Sequence, residues 1–287
     1  MAVFKGNATA ACRKEVLRAS SAAALAAFLA ASGWSPSWAQ EADRRLAKGI
    51  QDNSFLIEEA YNQEPGVVQH IATLQRQGNS WFFGFTQEWP VVSQTHQFSY
   101  TVPYAWLRED GMSAQGFGDV MFNYRWQALT EDASAPAVAP RLSLILPSGD
   151  ADRNLGTGSA GLQFNLPVSK IVSDRVTLHA NVGLTHFFDV QGRSPTSHHL
   201  GASVVYAVRR DFNLMLEALG QWTETVDAGG AAARETTLTL SPGFRQAFDL
   251  SPAQLVVGVA LPMRLGAGEP DYGVFLYISL EHSFLGK

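Results

Sequence analysis

Tyr272-Gly-Val-Phe-Leu-Tyr-Ile-Ser-Leu-Glu-His-Ser-Phe284 decides how the rest of this sequence is read. Tyr272, Val274, Leu276, Ile278, Leu280 and Phe284 fall on one face of an extended chain, and Gly273, Ser279, Glu281 and Ser283 on the other. A period of two over this length predicts a strand, because successive side chains point to opposite sides of a sheet. One face is almost wholly apolar and the other carries a carboxylate. The remaining question is whether the chain supplies enough strands of the same kind to close a barrel.

After Gly66 it does. Strand-length segments separated by turn residues are expected at 67–77, 79–90, 94–106, 117–129, 139–147, 158–168, 174–187, 198–208, 211–225, 235–247, 253–264 and 272–284. In 174–187, Val176, Leu178, Ala180, Val182 and Leu184 oppose Thr177, His179, Asn181, Gly183 and Thr185. In 117–129, Val120, Phe122, Tyr124 and Trp126 oppose Asp119, Asn123, Arg125 and Gln127. Short connections such as Arg209-Arg210 alternate with longer ones rich in Gly, Asp and Ser at 107–116, 148–157, 188–197 and 226–234. That alternation is the pattern of an up-and-down membrane barrel.

A soluble β-sandwich also has alternating strands. Three features favour the barrel. The segments exceed the roughly 5–6 residues of ordinary strands and match the roughly 9–11 of a tilted membrane strand. Trp81, Trp89, Tyr104, Trp106, Trp126, Phe187, Tyr206, Trp222 and Tyr272 lie near segment ends, as interfacial aromatic girdles do. Full charges stand inside strands on the polar face. The expectation is an all-β, single-chain antiparallel transmembrane β-barrel of about 12 strands. Lipid offers no partner to an open sheet edge, so the sheet must close.

Residues 1–39 read as a signal peptide: a basic lead (Lys5, Arg13, Lys14, Arg18), an Ala/Leu/Phe run over 19–33, and the small-x-small site Ser37-Trp38-Ala39. Cys12, the only cysteine, would leave with it, so no disulfide or thiol chemistry is expected. Of 21 basic and 26 acidic residues, four and one lie in this stretch. The remainder is acidic, which argues against nucleic acid as a partner. Residues 40–66 read as a periplasmic segment and 67–287 as the barrel itself; Glu58, Glu59 and Tyr61 are candidates for a plug folded into the barrel, against the favoured alternative of a solvated face on the periplasmic rim.

Asn53-Ser-Phe-Leu-Ile-Glu-Glu-Ala-Tyr-Asn-Gln-Glu, Gly116-Phe-Gly-Asp-Val-Met-Phe-Asn-Tyr-Arg-Trp-Gln and Pro140-Arg-Leu-Ser-Leu-Ile-Leu-Pro-Ser-Gly-Asp are similar to segments of the outer-membrane family named for the meta-pathway of phenol degradation. The resemblance implies an outer-membrane barrel of a Gram-negative bacterium, for uptake of aromatic or other hydrophobic compounds. Outer-membrane lipid, the barrel-assembly machinery and a small hydrophobic or aromatic solute are then the expected partners.

Asp119, Asn123, Arg125, His179, Asn181, Glu217, Arg245, Arg264 and Glu281 are the candidates to line the lumen. Both charge signs in one interior fit either a polar pore or a network of ion pairs that fills it. No cofactor or metal is expected. Asp150-Ala-Asp-Arg-Asn-Leu-Gly156 has alternating oxygen ligands, but its glycine and twelfth residue depart from a calcium loop. Thr157-Gly-Ser-Ala-Gly161 lacks the first glycine of a nucleophile elbow. His282 and Ser283 point to opposite faces and cannot form a dyad. The reading is a passive channel rather than an enzyme; an outer-membrane enzyme acting on lipid and a barrel without transport are the alternatives.

Overall fold

The computed structural model describes residues 49–50 and 54–284, apart from 110, 111, 228, 252 and 267. The expected signal peptide lies outside the described residues. Twelve strands form one closed antiparallel sheet. They are β1 (Val67–Gln77), β2 (Ser80–Val91), β3 (Ser93–Glu109), β4 (Met112–Phe117 and Met121–Trp126), β5 (Ala137–Val138 and Arg141–Ile145) and β6 (Gly161–Ile171). Then come β7 (Val176–Phe187), β8 (Thr196–Arg209), β9 (Phe212–Val226), β10 (Ala232–Asp249), β11 (Ala253–Ala260 and Met263–Leu265) and β12 (Asp271–Tyr272 and Val274–Ser283). Each strand pairs with its sequence neighbours, and β12 pairs with β1 from Val67↔Ser283 to Arg76↔Val274. Among the described residues no sheet edge is left open to lipid.

The barrel is inside out relative to a water-soluble domain. On β9, Leu216 is 54% exposed while Glu217 beside it is fully enclosed. Ile278 is 51% exposed and its neighbour Ser279 is buried. Buried residues and exposed large apolar ones alternate in this way along β4, β5, β8, β9 and β12, with Asn123, Arg125, Ser143, Ser203, Asn213 and Ser279 among the buried polar ones and Met215, Phe275 and Tyr277 among the buried apolar ones. An apolar outer band of this extent is stable only against hydrocarbon.

Four strands are interrupted, and proline explains where. The breaks fall at Gly118-Asp119-Val120 in β4, Ala139-Pro140 in β5, Leu261-Pro262 in β11 and Gly273 in β12. Each has an amide on a proline carbonyl: Gly118 on Pro103, Ala139 on Pro167, Leu261 on Pro242 and Gly273 on Pro262. Proline has no N–H to return, so the ladder buckles there while its carbonyl stays satisfied.

One loop expectation is corrected. Residues 107–116 were expected as a long outer loop, but β3 runs on to Glu109 and β4 starts at Met112. Trp106 pairs with Gln115 and Leu107 with Ala114, so the hairpin extends past the rest of the wall. The 127–136 connection, on the short-turn end, is the long exception among the turns there.

Candidate functional site

Residues 54–64 are not a strand, and they run through the interior of the barrel. Pro65-Gly66 closes the turn that feeds them into β1, with Val67 N–H donating to Glu64 O. A chain crossing a lumen has no ladder to satisfy its backbone, so side chains of the wall must do so. The amides of Leu56 and Ile57 both donate to Glu217 Oε1 of β9, at 2.8 and 3.1 Å. Glu58 N–H donates to Asn181 Oδ1 of β7, and Asn181 Nδ2 returns a bond to Glu58 O. The carboxamide thus imitates a strand neighbour. Ala60 N–H meets Ser169 Oγ of β6, Asn62 N–H meets Gln127 Oε1, and Gln63 N–H meets Gln97 Oε1 of β3.

Two guanidinium groups hold the same segment, and a third holds Ile50 ahead of it. Arg125 of β4 donates to Asn62 Oδ1 (2.8 Å), Glu59 O (3.3 Å) and Tyr61 O (2.7 Å). Arg245 of β10 donates to Ile50 O at 3.3 Å. Arg141 of β5 grips the Glu58 carboxylate with two bonds, Nε to Oε2 at 3.0 Å and Nη2 to Oε1 at 2.5 Å. Its remaining donors go to Asn123 Oδ1, Ser143 Oγ and Gln163 Oε1. A fork held on every N–H presents one fixed face to a carboxylate. Burial pushes the Glu58 carboxyl up, but the Arg141 charge and hydrogen bonds outweigh it and hold the group below the usual carboxylate range.

Apolar contacts complete the seat. The Phe55 ring lies 5.4 Å from both Phe275 and Tyr277 and packs with Leu56 on a cluster of Ile50, Ile71, Val256 and Ala260. Gly258 gives the ring room: a Cβ there would collide with Phe55, as one at Gly201 would with Ile57. At the short-turn end, Tyr61 donates to Glu131 Oε2 at 2.5 Å, and Lys170 lies 3.5 Å from Glu131 Oε1. A cavity of about 300 Å³ remains beside the segment. Phe55, Ile71, Met121 and Tyr277 give it an apolar side; Thr73, Thr86, Thr101 and Ser99 give it hydroxyls; Glu58 and Arg141 stand at its margin.

The expected lumen residues divide into two groups. Asn123, Arg125, His179, Asn181, Glu217 and Arg245 come together around Ile50 and residues 54–62, all buried. His179 Nδ1 lies 2.7 Å from Ser169 Oγ, and its ring meets Tyr61 edge-on. The other three lie apart. Asp119 accepts bonds from Gly149 N–H, Thr157 N–H and Thr157 Oγ–H, so it pins the β5–β6 loop. Arg264 stands 3.7 Å from Asp271 at the long-loop rim. Glu281 lies near the short-turn end of β12, in register with Gln69 and Gln254. Of the candidates ahead of β1, Glu58 meets Arg141, Glu59 is buried, and Tyr61 turns toward Glu131.

Arg141 and Gln127 are additional residues that hold the segment. Arg141 had a legible signal, since Arg141 and Ser143 oppose Leu142 and Leu144 with the usual period of two. Gln127 had the same signal, on the polar face of the expected 117–129 strand with Asn123 and Arg125, although the strand itself ends one residue earlier at Trp126. Among the described residues no group of three or more potential ligands gathers for a metal ion.

These features define a class: a twelve-stranded membrane barrel with residues 54–64, ahead of its first strand, lying in its lumen. The chain belongs to the family described as "Putative MetA-pathway of phenol degradation", whose model matches residues 60–259. Its architecture is similar to that of an outer membrane channel from Pseudomonas putida F1, at TM-score 0.65 and 13% identity, covering 82% of this chain and 100% of that one. A weaker likeness is to the KdgM porin, at TM-score 0.48 and 10% identity, over 75% and 99% of the two chains. No curated protein matches in sequence. The barrel fold is that of outer-membrane channels.

Proposed function

We propose that this protein is an outer-membrane channel that passes small aromatic or hydrophobic compounds by passive diffusion, with residues 54–64 acting as a plug that narrows the lumen. The observation that carries the reading is the cavity beside that segment, with aromatic and aliphatic side chains facing threonine and serine hydroxyls. Such a surface accepts an apolar body while leaving polar atoms hydrated. Weak, multi-sided contact of this kind lets a solute both enter and leave. The family's name and the channel fold agree with it. Asn123, Arg125, His179, Asn181, Glu217 and Arg245 then serve mainly to seat the plug, while Asp119, Arg264 and Glu281 act nearer the two rims.

The same reading assigns residues 1–39 to a signal peptide cleaved on export, with insertion by the barrel-assembly machinery into outer-membrane lipid. It assigns no catalysis. Swelling of liposomes carrying the purified protein, with graded neutral aromatic and sugar solutes, tests it: swelling should exceed that of empty liposomes and favour the aromatics. Equal swelling with and without protein would sink the channel, and phospholipid hydrolysis would replace it with an enzyme.

A further inference from the structure

We propose that Glu58 occupies the place of a solute carboxylate, and that the barrel's preferred solutes are small carboxylates with an apolar body that displace Glu58 from Arg141. The proposal rests on the channel reading above and narrows it.

The geometry begins with Arg141. Its two free-edge donors, Nε and Nη2, meet Glu58 side by side, which is the bidentate arrangement a carboxylate fits and an alcohol or amide does not. The other donors are tied back to Asn123, Ser143 and Gln163, and Asn123 is itself held by a bond to Ser99 Oγ at 3.1 Å. The fork therefore keeps its orientation whichever carboxylate stands before it, and little ordering remains to be done on binding. The wall thus offers a built anion seat, and only the anion belongs to the plug.

The seat is reachable. The Glu58 side chain is 29% exposed and that of Arg141 13%, and both border the cavity. Glu58 can therefore swing into water when another carboxylate takes its place, without being stranded in a dry interior. The ring of a benzoate-sized molecule would then lie along Phe55, Ile71, Met121 and Tyr277. Because Glu58 is tethered, it competes at an effective concentration on the order of millimolar, so the solute binds weakly and exchanges. Loss of the Glu58 bonds also removes one of the plug's anchors, so occupancy loosens the plug that the solute must pass.

Saturation-transfer NMR on the full-length protein in detergent, with sodium benzoate and benzyl alcohol as probes, tests this directly, and benzoate flux into proteoliposomes is read in parallel. Benzoate should bind and benzyl alcohol should bind more weakly. Glu58→Gln should tighten benzoate by about tenfold, since a charged competitor is replaced by a neutral one. Arg141→Gln should abolish the preference. Should Arg141→Gln fail to show the heat-modifiable mobility of a folded barrel, Arg141→Lys is read instead, with weaker benzoate binding expected. Equal binding of the two probes, or a benzoate preference unchanged in the folded Arg141 variant, overturns the proposal. Benzoate binding without flux would count against the channel reading and leave the carboxylate seat standing.

Discussion

The β12 strand and the 54–64 segment meet along the inner wall, where Phe55 packs on Phe275 and Tyr277, yet they are held by opposite means. β12 satisfies its backbone through two neighbours, β1 and β11, and its side chains are free to divide between lipid and lumen. The segment has no strand beside it, so its backbone is satisfied by side chains of β3, β4, β6, β7 and β9. In the first case the backbone fixes the structure and the side chains report it as a period of two. In the second, distant side chains fix the structure and the local sequence carries no period at all. A strand is thus held by a ladder that many sequences can make; the segment is held by a set of specific partners.

The largest effect should come from breaking the strand. Ile278 lies at the middle of β12 on the outer face. Ile278→Arg places a charge against hydrocarbon and should lower barrel stability by about 2–4 kcal/mol, the cost of a cation near the bilayer midplane. Urea unfolding in lipid vesicles measures it. A loss below about 1 kcal/mol would mean that this face does not meet the membrane core.

Breaking the segment should leave the barrel and change the pore. Arg125→Ala removes bonds to the Glu59 and Tyr61 carbonyls and to the Asn62 side chain. Charge-assisted bonds contribute roughly 1.5–3 kcal/mol each but overlap here, and lumen water replaces part of the loss, so docking should weaken by about 2–3 kcal/mol. Single-channel conductance should rise, and proteolysis within 54–63 should speed up while the barrel stays heat-modifiable. Unchanged conductance with faster cleavage would show that the segment does not obstruct the current path.

This contrast also explains what the sequence disclosed. The barrel was legible because most strands repeat the same two-residue pattern, though the first does so least, and even Arg141 carried it. The inward charges were legible for the same reason: Glu217 between Leu216 and Ala218 on β9 is visibly out of place in a buried strand unless the interior is polar. What those charges hold was not legible. Nothing near Glu217 indicates that it receives amides from residues 161 and 160 positions earlier in the chain. The broken strands were missed in part because proline acts across the ladder, on a neighbour that sequence distance hides.

A smaller effect follows from pH. The Glu58 carboxyl titrates below its ordinary value, so its contribution to holding the 54–64 segment is complete above about pH 4.5, the unperturbed value, and is lost as pH falls through the folded-state value below that. Conductance should therefore hold steady from neutral pH down to the ordinary carboxylate range and increase only under stronger acid. Glu58→Gln should remove that acid-induced rise. A rise centred above the ordinary value would place the responsible proton on another group.

The smallest expected effect isolates what the segment asks of a single partner. Both amides of Leu56 and Ile57 go to one oxygen of Glu217, Oε1, while Oε2 is buried and, among the described residues, has no hydrogen-bond partner, as is the case for Ser241 Oγ. Glu217 and Ser241 are directly opposite in the β9–β10 register. Glu217→Gln keeps a carbonyl for the two amides and puts an NH₂ where Oε2 was, within reach of the serine opposite. Docking should change by no more than about 1 kcal/mol, in either direction, since one neutral bond replaces the loss of charge. Glu217→Leu, of similar bulk, leaves two buried amides without an acceptor and should cost about 2–4 kcal/mol, read as increased conductance and faster cleavage in 54–63. If Gln and Leu behave alike, the negative charge and not the acceptor geometry holds the segment, and the likeness of Glu217 to a strand neighbour fails.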